Sequence, residues 1–164
     1  MTEAAMKTRE QTTIHGAVRD GVARSVAAIG LAGMALIHLM DLPGQLSETP
    51  YIFVLYVALM IASVALAGVL IGTSDARAWA AATALSALVV VAYVLSRTSG
   101  LPSSTDDIGN WSDPLGIASL FVEGSVVALG SAVLVARWTR VGAALPAGKE
   151  RGPAPRDLHE PSGA

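Results

Sequence analysis

The sequence predicts an all-α membrane protein, a bundle of four transmembrane helices in which neighbouring helices run antiparallel. Hydrophobic residues make up 52% of the 164 residues and charged residues only 15%, whereas soluble domains carry about 25% charged residues. A helix needs about 20 mostly apolar residues to cross the hydrocarbon core of a bilayer. Short polar breaks separate four apolar stretches of that length, which cover approximately residues 22–42, 51–72, 78–97 and 115–136.

The first apolar stretch is predicted to be an uncleaved membrane helix, because it is longer than the apolar region of a typical signal peptide and ends without a small-residue cleavage site. Small residues such as Gly30 and Gly33 predict close packing of this helix. Residues 1–21 form a charged N-terminal segment whose first dozen or so residues are expected to fray. The spacing of three apolar residues in and just after this segment is compatible with an inward extension of the helix: Ile14, Val18 and Val22.

Capping residues and prolines mark where the other helices begin. Thr49-Pro50 opens helix 2 and Asp113-Pro114 opens helix 4. Each pair combines a good N-cap with proline at the first helical position, where its missing N–H costs nothing. Ser74 or Asp75 is expected to cap helix 3. The connection between helices 2 and 3 is so short that the two must form an antiparallel hairpin.

The distribution of charge predicts the orientation in the membrane. Lysine and arginine are concentrated in the N-terminal segment, in the loop between helices 2 and 3 and after helix 4, whereas the other two loops contain one cation, Arg97, and several carboxylates. Cytoplasmic loops carry the excess of lysine and arginine, so both termini are predicted to be cytoplasmic. The transmembrane domain covers residues 22–142, and the proline-rich residues 143–164 are predicted to form a disordered cytoplasmic tail.

Composition also excludes several classes of function. The formal net charge is −2 and no basic patch is interleaved with aromatic residues, which argues against nucleic-acid binding. The chain contains no cysteine, so disulfides, thiolate metal sites and cysteine nucleophiles are excluded.

Glu123 is the most informative polar residue of the membrane region. It follows Pro114 by nine positions, which places it ~13 Å below the start of helix 4 and close to the bilayer midplane. A carboxylate there costs about 2.5–3.5 kcal/mol on insertion scales. Glu123 should therefore face the bundle interior, either as a structural partner of another helix or as a proton, ion or ligand site. Ser119 and Gly116 lie one and two turns earlier on the same stripe.

Two further groups complete a candidate polar cluster in the outer half of the bundle. Arg97 ends helix 3 with Tyr93 one turn earlier, and it either extends to the headgroups or turns inward to pair with Asp113 or Glu123. His38 lies near the outer end of helix 1 and is either an interfacial histidine or a ligand or proton-handling group. His38 is the only histidine of the membrane region, so a haem bound by two histidines of one subunit is excluded. The candidate cluster is His38, Tyr93, Arg97, Ser119 and Glu123, and Tyr56 of helix 2 could add a hydroxyl.

The segment Ser96-Arg97-Thr98-Ser99-Gly100-Leu101-Pro102 is the most specific of several motifs. The others are His38-Leu39, Leu42-Pro43 followed by Glu48, Trp111, Pro114-Leu115-Gly116 and Glu123. Over about residues 25–135 the chain resembles a family of small four-helix integral membrane proteins, common in actinobacteria, that carry an SRTxGLP segment before an acidic outer loop. The resemblance implies the fold, the topology and a bacterial cytoplasmic membrane, and no activity. Relatives often read Pro-Glu-His after helix 1. Here Pro43-Gly44-Gln45 stands instead, which argues against a metal site.

Three functions are compatible with the sequence. The first is a non-enzymatic membrane protein, an accessory subunit or a binding or sensing module. The second is a small oligomeric transporter or proton-coupled carrier that uses Glu123, His38 and Arg97. The third, a membrane enzyme or redox subunit, has few candidate ligands. We predict no catalytic residue, no metal and no cofactor. The expected partners are the lipid bilayer and either further copies of this chain or a larger membrane complex.

Overall fold

A computed structural model of the protein describes residues 3–144, which form four α-helices. Each helix contains a segment long and apolar enough to cross a membrane. Within the described residues no β-strand occurs, apart from one isolated bridge between Leu101 and Ser104. The helices are α1 (Glu3–Glu48), α2 (Pro50–Gly72), α3 (Ala76–Thr98) and α4 (Pro114–Ala144). The all-helical architecture with four membrane-length helices is therefore as the sequence predicts.

The first helix is much longer than its apolar stretch. It begins at Glu3 and continues through Pro43 to Glu48, and its 46 residues span about 70 Å. The helix therefore extends well beyond the predicted limits of 22–42. It is also more than twice as long as the thickness of a bilayer core, which is about 30 Å. At the other end of the chain, α4 includes residues 143 and 144. The rest of the predicted tail, 145–164, lies outside the described residues.

Local capping explains two of the helix starts. The Asp75 carboxylate accepts a 2.9 Å hydrogen bond from the backbone N–H of Arg77 at the start of α3. The Asp113 carboxylate accepts a 2.9 Å bond from the N–H of Gly116 at the start of α4. Thr49 occupies the N-cap position of α2, although its hydroxyl makes no capping hydrogen bond. Proline at the first position of α2 and of α4 leaves one fewer N–H to satisfy.

Packing between the helices is uneven. The helix α1 packs closely against α2 and α4, and α3 packs against α4, whereas α2 and α3 barely touch. The main apolar core lies toward the end of the bundle that carries the short 73–75 connection, which we call the short-loop end. Its fully buried large side chains include Leu31, Leu70 and Trp79. Toward the opposite end, α2 and α3 leave a gap.

Ion pairs tie the elements together at the short-loop end. Asp20 of α1 accepts contacts at 3.3 Å from both Arg24 and Arg137. Arg137 of α4 also donates to the carbonyl of Ser74, and Arg24 donates to the carbonyl of Ile71 at 3.4 Å. These contacts connect α1, α4 and the α2–α3 connection at the boundary of the apolar core.

A folded loop closes the other end, which we call the long-loop end. Residues 99–113 connect α3 to α4 and include two glycines with positive φ, Gly100 at 76° and Gly109 at 79°. The N–H of Gly109 donates to the carbonyl of Arg97 at 2.9 Å. The hydroxyl of Tyr51 on α2 donates to the carbonyl of Pro102 at 2.6 Å. The loop is thereby attached to both α2 and α3 across the gap between them.

Candidate functional site

The gap at the long-loop end encloses a cavity of about 520 Å³. This volume lies within the range of small-molecule sites, about 300–1,000 Å³. All four helices and the 99–113 loop contribute to its walls. Apolar side chains of α2 and α3 form the part that extends toward the middle of the bundle: Leu55, Leu59, Ala62, Leu85, Leu88 and Val89.

The cavity opens sideways, between α2 and α3. Leu55 and Leu88 line it, yet they are 58% and 65% exposed on the surface of the bundle. Both residues belong to membrane-length helices, so this opening faces the hydrocarbon region when the helices span a bilayer. Leu101 and Asp107 of the folded loop line the opposite end of the cavity. An apolar molecule could therefore reach the cavity from the hydrocarbon region, between α2 and α3.

Polar side chains line the end of the cavity beside the 99–113 loop, which we call the polar end. Arg97 makes the contacts on one side of it. Its side chain is 7% exposed and forms ion pairs with Asp107 and, at 3.3 Å, with Asp113. The guanidinium carbon lies 5.0 Å from the ring centroid of Tyr93, a distance at which cation–π attraction operates. Tyr93 in turn meets Trp111 edge to face at 6.1 Å. Of the alternatives open at the sequence level, the structure places Arg97 in the inward position, paired with Asp113 and not with Glu123.

His38, Tyr56 and Asp41 form the other side of the polar end. The rings of His38 and Tyr56 meet edge to face at a centroid distance of 4.8 Å. Tyr56 donates a 3.0 Å hydrogen bond to the Asp41 carboxylate. Nδ1 of His38 lies 2.9 Å from the carbonyl oxygen of Met34. A carbonyl oxygen only accepts, so Nδ1 carries the hydrogen, and in the neutral ring Nε2 is left as an acceptor.

Glu123 lies deeper than the other members of the cluster. Its side chain is fully buried, and its Oε1 accepts a 2.5 Å hydrogen bond from the Ser119 hydroxyl. Among the described residues Oε2 has no hydrogen-bond partner. Ser119 lines the cavity, so within the described part of the chain a hydrogen bond from Ser119 links Glu123 to the cavity wall.

The structure thus brings His38, Tyr93, Arg97 and Ser119 to one cavity and places Glu123 one turn of α4 behind it. Sequence reasoning did not assign Asp41 or Asp107 to the cluster. Asp41 follows His38 by three positions, a helical spacing that signals a shared face. For Asp107 the sequence offers no signal that separates it from Asp106.

This arrangement is suited to holding a molecule with an apolar part and a polar head. The polar end presents charges and hydrogen-bonding groups, while the walls toward the middle of the bundle present only carbon. Within residues 3–144, no group of three histidine, aspartate or glutamate side chains is arranged to hold a metal ion.

Comparison with known proteins adds no further constraint to this geometry. No protein-family model matches the chain, and neither a curated protein nor a solved structure shows significant similarity to it.

Proposed function

We propose that the protein is a multi-pass protein of the bacterial cytoplasmic membrane that binds an amphiphilic molecule in the cavity at its long-loop end. It acts as a non-enzymatic binding or sensing module, or as an accessory subunit of a larger membrane complex. Both termini lie in the cytoplasm, because lysine and arginine are concentrated on the side that carries them. The cavity then lies in the outer leaflet.

The observation that carries this proposal is the shape of the cavity. It joins a lateral opening between α2 and α3, lined by Leu55 and Leu88, to a polar end built around Arg97 and His38. An amphiphilic molecule in the bilayer can enter such an opening with both its tail and its head, without passing through water. The polar side chains form ion pairs and hydrogen bonds with one another. These contacts hold them in fixed positions, from which they can recognise a polar head.

The proposal is tested by photoaffinity labelling of the purified protein in lipid nanodiscs. The probe is a 16-carbon alcohol with a diazirine in its chain, and the labelled residues are identified by mass spectrometry. We expect labels on the cavity walls of α2 and α3. Labelling spread evenly over all lipid-facing surfaces would contradict a specific site.

A matched pair of variants sharpens the test. Ala62 lines the cavity, whereas Ala65, three residues later on the same helix, is exposed and does not. Ala62→Phe should fill the cavity and reduce labelling of the facing α3 wall several-fold. Ala65→Phe adds the same bulk outside the cavity and should leave that labelling unchanged.

A second candidate function is a proton-coupled carrier. The observation that favours it is the fully buried Glu123. Its Oε2 has no hydrogen-bond partner among residues 3–144, and its Oε1 is linked through Ser119 to the cavity. Buried carboxyl groups in membrane helices often belong to proton or ion pathways. Proteoliposomes with an imposed pH gradient test this function. Proton flux that depends on an added amphiphile and is abolished by Glu123→Gln would support it.

A further inference from the structure

We propose that the ligand of this cavity carries a positively charged head with N–H groups, a primary or secondary organic ammonium, on an aliphatic tail. The inference rests on the proposed function and names the class of amphiphile. It follows from the charges around the cavity, from the hydrogen-bond acceptors that line it, and from its apolar walls.

The charge balance of the cavity favours a cation. Three carboxylates, Asp41, Asp107 and Asp113, and one guanidinium, Arg97, line it, a formal sum of −2. Arg97 is already paired with both Asp107 and Asp113. These three groups together carry a formal charge of −1, which disfavours an anionic head. No described cation pairs with Asp41, whose described partner is the hydroxyl of Tyr56. A ligand cation near Asp41 would supply the charge that this side of the cavity lacks.

The side chains of His38 and Ser119, each only 7% exposed, add a demand for hydrogen-bond donors. His38 is only 7% exposed and lines the cavity, and with Nδ1 donating to Met34 its Nε2 offers a lone pair that no described group uses. Ser119 also lines the cavity, and because its one hydroxyl hydrogen is donated to Glu123, its oxygen offers only lone pairs to a ligand. Buried polar atoms of proteins are almost always paired. A head with N–H groups can supply a donor to these acceptors. A carboxylate head could meet the buried Nε of Arg97, which has no hydrogen-bond partner among the described residues, but it would add a negative charge beside three carboxylates.

The remaining walls define the rest of the molecule. Leucine, valine and alanine side chains of α2 and α3 continue from the polar end to the lateral opening. A flexible hydrocarbon tail fits this surface and can leave through the opening into the bilayer. The ring of Tyr56, beside His38, adds an aromatic surface that tolerates a neighbouring cation.

The inference is tested with four probes that share a ten-carbon tail and differ in the head: decylamine, decyltrimethylammonium, decanol and decanoate. Each is titrated into the protein in zwitterionic lipid nanodiscs, below its micelle concentration, and the heat from empty nanodiscs is subtracted. Decylamine is protonated at neutral pH, as a lysine amine is. We expect it to bind about tenfold more tightly than decanol, since one charged hydrogen bond is worth at least that factor. Decyltrimethylammonium should be intermediate and decanoate weakest.

Asp41→Asn and Asp106→Asn form a matched pair of variants. Both residues are exposed and lie at the same end of the molecule, but only Asp41 lines the cavity. Asparagine at position 41 can still accept from Tyr56, so the fold is expected to persist, which thermal unfolding checks. Asp41→Asn should remove most of the preference for decylamine over decanol. Asp106→Asn should change it by less than about twofold, as expected for an exposed charge that lies outside the cavity.

Nitrogen NMR of the His38 ring provides a readout of the hydrogen bond itself. Decylamine should shift the Nε2 resonance and decyltrimethylammonium should not, because the latter has no N–H. Equal affinity for all four probes, or an Asp41→Asn variant with an unchanged preference, would overturn the ammonium inference and leave the amphiphile site intact. Failure of all four probes to bind would overturn the proposed function as well.

Discussion

Ser119 donates a 2.5 Å hydrogen bond to Oε1 of Glu123, one turn further along α4, and this is the only hydrogen bond that the described residues give the buried carboxyl group. Both side chains belong to one helix, so the bond links Glu123 to no other helix. A carboxyl group at this depth costs stability. The described residues offer it a single hydroxyl in return, and we infer that Glu123 does not stabilise the fold.

The first prediction follows from that inference. Glu123→Leu should leave the protein at least as stable as the wild type. The substitution removes a buried oxygen that has no partner in the described part of the chain, and it leaves no described cation unpaired. The Ser119 hydroxyl can turn to the backbone carbonyl four residues earlier. Thermal unfolding in detergent measures the effect, with Glu123→Gln as the shape-matched control. A loss above about 2 kcal/mol would show that Glu123 holds another helix in place.

Arg97 is expected to behave in the opposite way. Arg97→Gln leaves Asp107 and Asp113 without their cation and empties a buried position. The two carboxylates are 47% and 33% exposed, so solvent screening should reduce the cost below the 3–5 kcal/mol of a fully buried pair, to about 2 kcal/mol.

Two substitutions control the Arg97 measurement. Arg140→Gln removes an exposed arginine from α4 and should change the unfolding midpoint little. Arg97→Lys keeps the charge but loses the planar fork that reaches two carboxylates at once, so its stability should fall between those of Arg97→Gln and the wild type. An Arg97→Gln variant as stable as Arg140→Gln would mean that the ion pairs contribute nothing to folding.

The membrane helices could be predicted because the bilayer imposes one length on every apolar stretch. The full extent of α1 could not be predicted, because residues 3–21 carry mixed charges. Hydropathy does not detect the part of a helix that continues into water. The Ser119–Glu123 contact follows from helical spacing within one element.

The position of Arg97 was left open between the headgroups, Asp113 and Glu123, because the choice depends on how the long loop folds back over α3. That path depends on the positive φ angles of Gly100 and Gly109 and on the hydrogen bond from Gly109 to Arg97. The cavity was unpredictable for a similar reason. It exists because α2 and α3 diverge, and divergence is a property of tertiary packing that no single helix encodes.

Close approach of α3 and α4 is the subject of the third prediction. A Cβ at Gly130 would collide with the Thr83 hydroxyl and lie 3.2 Å from the Thr83 Cβ, which rotation of the side chain cannot move away. Gly130→Ala should therefore cost about 1–3 kcal/mol through overpacking. Gly124 lies on the same helix, and a Cβ added there would meet no atom within 4 Å. Gly124→Ala should be neutral or stabilise by up to about 1 kcal/mol, the helix-propensity difference. Equal effects in thermal unfolding would contradict this packing.

The last prediction concerns orientation, and the absence of cysteine allows a clean measurement. Ser103 in the long loop and Ser74 in the short connection are both exposed and lie at opposite ends of the bundle. We propose that the short-loop end faces the cytoplasm. Ser103→Cys should then react with a membrane-impermeant thiol reagent in intact cells, whereas Ser74→Cys should react only after the cells are opened. Labelling of both in lysed cells controls for reactivity. The reverse pattern would place the cavity in the inner leaflet, where an ammonium amphiphile would have to approach from the cytoplasmic side.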